Sequence, residues 1–141
     1  MTLVKAIEKK LSANDVGNTG SHQGGILIPK KKELLDFFPK LDEKAPNPRI
    51  IIKFLDEFGI VWKFNYIFYN NKLRGGTRSE YRLTGMTLFI RQNGLKEKDT
   101  IRFELEDSIY RIKAIKDSSE ILEEDGCVVL DLGNNWKVIN L

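Results

Sequence analysis

A series of short apolar runs, separated by turn-forming residues, dominates the chain from Arg49 onward. The runs are rich in β-branched and aromatic residues, which is typical of strands. They cover residues 50–54, 60–69, 79–83, 100–105, 109–115, 127–130 and 136–139. Seven or so short strands at this spacing predict a mostly β (α+β) fold, a barrel or sandwich with peripheral helices.

The first third of the chain and one later segment contain helix-like patterns. Apolar residues recur at helical spacing in residues 2–10, 30–38 and 85–92, so we expect a short helix in each. Between the first two lies a short predicted strand at 25–28. Residues 42–48 (DEKAPNP) are expected to form a loop because their two prolines interrupt regular structure.

Length and composition limit the class of protein. A chain of 141 residues is expected to form a single domain, 1–141, with a hydrophobic core. Cys127 is the only cysteine, so no internal disulfide can form. The apolar runs are too short for a membrane span and the first residues lack a signal-peptide core. We therefore expect a cytoplasmic protein without a membrane partner.

Charge is unevenly distributed although the net charge is only +3. Residues 1–40 contain seven lysines and four carboxylates, and residues 72–82 contain four basic residues and one carboxylate. Residues 103–125 instead contain eight carboxylates and three basic residues. One part of the chain favours a polyanion and another repels it, which fits a docked nucleic acid.

A polar, glycine-rich segment, Leu11–Pro29, stops abruptly at an apolar run. It contains the only histidine, His22, and no lysine or arginine. A solvated loop is one interpretation. A phosphate-binding loop is disfavoured because neither glycine-rich nucleotide motif occurs, and one histidine does not make a metal site. The alternative is a surface that contacts a polar partner closely.

A second stretch, 66–84, contains the pattern Arg78-x-Glu80-x-Arg82. If residues 77–82 are extended, these three side chains share one face and Tyr81 occupies the other. Arginine can bind guanine O6 and N7 in a bidentate manner, and glutamate can accept a hydrogen bond from cytosine N4. The pattern therefore suits the reading of base edges in a major groove. Simple pairing among the three side chains on a solvated strand is the competing interpretation.

These segments resemble the amino-terminal effector domain of EcoRII-type restriction endonucleases. The resemblance rests on LSANDVGNTGSHQGGILIPK and FYNNKLRGGTRSEYRLT. A further stretch, GMTLFIRQNGLKEKDTIRFEL, is similar to plant B3-type DNA-binding domains. The resemblance covers about residues 9–105. It implies a DNA-binding pseudobarrel, a seven-stranded open β-barrel with two or three short flanking helices, in a prokaryotic restriction-modification protein.

The resemblance also implies two arms that grip the major groove of double-stranded DNA, at residues 12–23 and 72–82. The expected base contacts are His22, Arg78, Glu80, Arg82, Asn14 and Asp15. The expected contacts to the DNA backbone, or supporting arm residues, are Lys9, Lys10, Ser12, Thr19, Ser21, Gln23, Lys72, Arg74, Thr77, Ser79 and Tyr81. Phosphate contacts would set the register and base contacts would read a short G·C-rich site.

We expect neither a catalytic centre nor a metal or cofactor in this chain. A single histidine excludes a paired-histidine centre, and the carboxylate–lysine combinations are those of any acidic segment. A nuclease domain in the same or another chain is the candidate partner. An interaction module for protein or carbohydrate is the alternative function, and a small metal-dependent nuclease is the third.

Overall fold

Eleven elements are present in the computed structural model, which describes residues 4–17, 25–71, 75, 78–117, 128–131 and 135–140. The strands are β1 Val4–Lys10, β2 Ile26–Ile28, β3 Arg49–Leu55, β4 Val61–Tyr69, β5 Glu80–Thr84, β6 Thr100–Glu106, β7 Ile109–Ile115, β8 Val128–Asp131 and β9 Trp136–Asn140. The helices are α1 Lys32–Leu35 and α2 Thr87–Gln92.

The strands form one nine-stranded sheet in the order β2-β5-β4-β3-β7-β6-β1-β9-β8. Neighbouring strands are antiparallel except β3 and β7, which are parallel and pair at Phe54↔Tyr110 and Leu55↔Arg111. This short parallel seam joins two antiparallel groups of strands. One group contains β2, β3, β4 and β5, and the other contains β1, β6, β7, β8 and β9.

The core lies on one side of the curled sheet and is rich in aromatic rings. Phe54 packs against Phe64, Phe103 and Tyr110, with ring centroids 5.4–5.5 Å apart. Because these residues come from β3, β4, β6 and β7, the same cluster bridges the parallel seam. Helix α2 is held by Phe89, which packs edge-to-face on Trp62 at 5.2 Å.

A side chain of β9, the strand next to one end of this order, contacts β2 at the other end. The fully buried Trp136 of β9 donates a hydrogen bond from its indole Nε1 to the carbonyl oxygen of Leu27 in β2, at 3.1 Å. Among the described residues, no backbone ladder pairs β2 with β9. The barrel is therefore open, and an indole spans its opening.

The predicted fold class is confirmed, and eight strands fall within about two residues of their expected ranges. The expected helix at residues 2–10 is wrong, since this segment forms β1. Its apolar residues are spaced as in a helix, but β1 pairs with β6 on one side and β9 on the other. Ala6 and Ile7, on opposite faces, are both buried, so tertiary pairing overrides the local pattern.

The other two helix predictions hold in part or fully. Helix α1 is a single turn, Lys32–Leu35, shorter than the expected 30–38. Helix α2 buries Phe89 and Ile90, as the spacing predicts. Within the described part of the chain, neither helix has the length and hydrophobicity needed to cross a membrane.

Candidate nucleic-acid interface

The first arm leaves the sheet at the end of β1 through a tight turn. Ser12 and Asp15 bond reciprocally: the N–H of Ser12 donates to Asp15 Oδ2 at 3.0 Å, and the N–H of Asp15 donates to Ser12 Oγ at 3.2 Å. The preceding residue, Leu11, is buried and exchanges backbone hydrogen bonds with Lys98 and Asp99. The start of the arm is therefore fixed to the sheet and to the 95–99 turn.

A buried ion pair lies beneath this turn. Lys9 Nζ is 3.5 Å from Asp15 Oδ2, and both side chains are only 8% exposed. The ammonium also lies 5.9 Å from the centroid of the Trp136 ring. A buried charge of this kind is stabilised only while its partner is present. Lys9 and Asp15 thus hold the start of the arm from within, with both side chains turned to the interior.

The other end of the arm is fixed by Gly25. Its φ is +90°, and a Cβ here would lie 2.6 Å from both the Leu83 carbonyl oxygen and Thr84 Cγ2 of β5. Only glycine fits this close approach. The end of the first arm therefore packs directly on the strand that begins at the second arm.

Arg82 connects the two arms. Its Nε donates to Glu80 Oε2 at 3.1 Å, and its Nη1 donates to the carbonyl oxygen of Gly25 at 3.2 Å. The side chains of Arg82 and Glu80 remain about one quarter exposed, at 26% and 25%. Both lie on the face of β5 opposite the buried Tyr81, as the alternation predicts. The guanidinium is held in one orientation at the surface.

The second arm is closed at its neck by a hydrogen bond from Asn71 Nδ2 to the carbonyl oxygen of Arg78, at 2.8 Å. Arg78 is exposed, and its side chain makes no ion pair among the described residues. Ser79 beside it is buried, and its Oγ has no hydrogen-bond partner in the described structure. Within the Arg78-x-Glu80-x-Arg82 pattern, Glu80 and Arg82 therefore form an ion pair with each other, and the Arg78 side chain remains available for an external contact.

The loop after α1 braces both ends of the second arm. Asn70, at the start of the arm, donates its backbone N–H to Asn47 Oδ1 at 2.9 Å and its side-chain amide to the carbonyl oxygen of Glu43. Tyr81, at the end of the arm, donates its hydroxyl to Glu43 Oε1. Residues 43–47, which we call the brace, thus hold the arm on two sides.

Tyr81 is a core residue rather than a surface contact. Its ring stacks on Tyr66 at 5.6 Å and packs on Phe68 at 4.6 Å. Burial raises the pKa of its phenol, and the hydrogen bond to Glu43 raises it further. The residue stays protonated at neutral pH and supports the arm by packing.

Between the bases of the two arms lies a groove with a volume of about 320 Å³. Gly25 at the end of the first arm, Asn65 and Tyr69 of β4, and Arg49 of β3 are among the residues that line it. Arg49, Ile67, Arg82 and Leu27 are directly paired across β3, β4, β5 and β2. The groove is therefore a polar floor that connects the two arms.

Several expected contact residues fall outside the described ranges. These are Thr19, Ser21, His22 and Gln23 of the first arm, and Lys72, Arg74 and Thr77 of the second. Lys10 and Asn14 are described and exposed, next to the base of the first arm. No group of three or more His, Cys, Asp and Glu side chains in the described part of the chain is placed to hold a metal ion.

Sequence reasoning missed Glu43, Asn47, Asn70 and Arg49. The signal for the brace is weak: the prolines of DEKAPNP predict only a loop, and nothing local links it to residues 70–81. For Arg49 the pattern predicts only the start of a strand. A cation alternating with apolar residues was the available signal.

Proteins similar to this chain include plant factors. The chain is 34% identical over 96 residues to "Auxin response factor 22" from rice, covering 67% of this chain and 12% of that protein. It is 31% identical over 97 residues to "B3 domain-containing protein Os02g0764100" from rice, covering 68% of this chain and 45% of that protein. The chain thus matches only part of these relatives.

Two solved structures share the fold. An Arabidopsis FUS3–DNA complex superposes with a TM-score of 0.62 and 27% identity, covering 79% of this chain and 96% of that one. An Arabidopsis LEC2–DNA complex gives a TM-score of 0.58 and 26% identity, covering 83% and 96%. The expected pseudobarrel is confirmed by both.

The family described as "Restriction endonuclease EcoRII, N-terminal" matches residues 3–99, which include β1 to β5, α2 and the bases of both arms. More than half of the chain falls within this match. The two arm motifs, the pseudobarrel and the match agree, and the chain belongs to the family of EcoRII restriction endonuclease N-terminal domains.

Proposed function

We propose that this chain binds double-stranded DNA in a sequence-specific manner through its two arms. The observation that carries the proposal is the Arg82–Glu80 pair, oriented at the surface and tied to the end of the first arm at Gly25. A guanidinium and a carboxylate fixed side by side offer donors for guanine and an acceptor for cytosine. The two similar structures, both complexes with DNA, support the same function.

Each arm has a distinct proposed role. Arg78 and Arg82 read guanines and Glu80 accepts from a cytosine amino group, so the preferred site is short and rich in G·C pairs. His22 and Asn14 read further base edges from the first arm. Phosphates are held by Lys10, Ser12, Thr19, Ser21, Gln23, Lys72, Arg74 and Thr77, with Ser79 as a supporting arm residue.

Buried groups act on the interface through the arms. Lys9, Asp15 and Tyr81 position the arms in this proposal, because their side chains face the protein's own interior. Replacing any of them would change the position of the arms relative to the bases rather than remove a direct contact to DNA.

The biological role proposed is target or effector-site recognition for a Type II restriction endonuclease. Membership in the EcoRII N-terminal family supports this role. The cleaving domain would belong to the same or another chain, since the proposed function of this one is recognition. A prokaryotic, cytoplasmic and DNA-associated setting follows from the role.

Selection from a randomised duplex pool tests the function. The chain is incubated with the pool at moderate salt, and retained DNA is sequenced over several rounds. A short enriched G·C-rich motif is the expected result. Retention without any motif would contradict sequence-specific reading, and absence of retention would favour a protein or carbohydrate ligand.

Site variants connect the selected motif to the proposed residues. Arg78→Ala should weaken binding to the motif by about 1–3 kcal/mol and relax the preference at one base pair. Arg91→Ala is the matched control, because Arg91 is an exposed arginine on α2 outside both arms. Equal effects of the two variants would contradict the assignment of Arg78.

A further inference from the structure

The outward face of the β3–β4 hairpin is cationic. Arg49 and Lys53 alternate with apolar residues on β3, and Lys63 lies on the same face of β4. The core-facing residues of both strands, such as Phe54 and Phe64, point the other way. Neither strand contains a carboxylate, so every charged side chain on this face is positive.

Two of these cations are directly opposed. Lys53 and Lys63 are register partners across the antiparallel ladder. Side chains in this position have Cβ atoms about 4.5–5.5 Å apart, and like charges there are destabilising. Both lysines and Arg49 are exposed, and none makes an ion pair among the described residues.

Elsewhere on the outward side of the same sheet, a cation is paired within the protein. Arg102 of β6 lies 3.2 Å from Glu8 and 3.3 Å from Glu104, so its charge is neutralised within the protein. The contrast is between strands that carry their own carboxylates, β1 and β6, and the two strands β3 and β4, which carry none. An uncompensated cationic face is complementary to an external anion.

The position of this face identifies the anion. Arg49 lines the groove between the two arms, in the same cross-strand row as Arg82. Lys53 is four residues further along β3, about 13 Å away at 3.3 Å per residue. This distance corresponds to about four base-pair steps of B-DNA. The face therefore extends from the arms over the length of a few flanking base pairs.

We propose that Arg49, Lys53 and Lys63 form a phosphate-binding surface that contacts the DNA backbone outside the base pairs gripped by the arms. This inference rests on the proposed function. Arg49 contacts a phosphate at the floor of the groove, and the two lysines contact the backbone of flanking DNA. These contacts add affinity without sequence information.

The length of the duplex separates flanking contacts from contacts made by the arms. Binding is measured by fluorescence anisotropy at several salt concentrations, with the selected motif alone and with the motif extended by about eight base pairs on each side. For the double variant Lys53→Gln/Lys63→Gln, the slope of log K against log salt on the long duplex should become less steep, by about 1.8 in magnitude. It should be unchanged on the short one.

The matched control removes the same charge elsewhere. Lys5 and Lys40 are exposed lysines that both lie near Asp36, beside α1. Lys5→Gln/Lys40→Gln should leave the slope unchanged on both duplexes. If the two double variants behave alike, or if Lys53→Gln/Lys63→Gln weakens both duplexes equally, the flanking surface is refuted. If the parent chain binds neither duplex, the proposed function itself fails.

Discussion

The guanidinium of Arg82 donates a hydrogen bond to the carbonyl oxygen of Gly25, 57 positions away in the sequence. This contact connects the residue at the end of the first arm to the strand in which the second arm ends. Because Glu80 holds the same guanidinium from another side, its orientation depends on both arms. The two arms are therefore structurally coupled at the side chain proposed to read a guanine.

Replacing Arg82 by lysine should separate charge from geometry. Lysine keeps the positive charge but cannot form the planar fork that guanine recognition requires. We expect binding to random duplexes to change by less than about twofold, and binding to the selected motif to weaken by about 1–3 kcal/mol. Competition anisotropy with both duplexes measures the two quantities. Arg102→Lys is the control, and an equal loss in both variants would contradict the role of Arg82.

Glu43→Ala should reduce specificity through the second arm, because Glu43 accepts a hydrogen bond from Tyr81. The phenol would remain buried without that partner, at a cost of about 1–3 kcal/mol in the free energy of unfolding. We expect the ratio of motif to random-duplex affinity to fall while the salt slope stays constant. Glu57→Ala, at an exposed carboxylate in the β3–β4 turn, removes the same charge and should change neither. A lower stability with an unchanged affinity ratio would mean that the brace stabilises the fold alone.

Two glycines of the first arm form a matched pair for a steric test. Gly25→Ala would place a Cβ 2.6 Å from backbone and side-chain atoms of β5, whereas a Cβ at Gly17 meets nothing within 4 Å. Both have a positive φ, so the strain of alanine, about 1–2 kcal/mol, is common to both variants. Urea unfolding should therefore show a distinctly larger loss for Gly25→Ala. Equal losses of stability would mean that β5 shifts to accommodate the new Cβ without a further loss in the free energy of unfolding.

Acid stability should depend on Asp99. Burial alone would raise the pKa of this carboxyl, but hydrogen bonds from the N–H groups of Asp117 and Lys96, with the nearby Lys116 ammonium, lower it below its usual value. A carboxyl whose pKa is lower when folded stabilises the protein above its unfolded pKa, and this stability is lost as the pH falls through the folded value. Unfolding measured between pH 7 and pH 2 should therefore show a loss near the acid end.

The variant Asp99→Asn gives the control for this pH dependence. It should be less stable than the parent at pH 7 by about 1–3 kcal/mol, because a charged acceptor becomes neutral. The difference should shrink as the solution is acidified, since Asp99 of the parent then also loses its charge. A difference that stays constant down to the lowest pH would contradict the assignment.

The local sequence pattern predicts the positions of most strands, and it predicts that Glu80 and Arg82 share one face of their strand. The alternation around Tyr81 predicted which side chains share a face, and the structure agrees for β5. Local pattern failed at β1, whose partners β6 and β9 lie about 90–135 residues further along the chain. It also gives no sign of the contacts that Asp15 and Glu43 make within the protein, since a carboxylate in a polar loop looks the same whether its partner is DNA or a buried side chain.

The first arm connects β1 with β2. β2 borders the barrel's opening, and β9, the neighbour of β1, carries the Trp136 that spans this opening. The same indole lies near the Lys9 ammonium that holds the start of the arm, and it bonds the strand in which the arm ends. One side chain thus sets the span between the two anchor points of the arm. A cavity created beneath that indole would therefore alter the reach of the arm without changing any residue proposed to contact the bases.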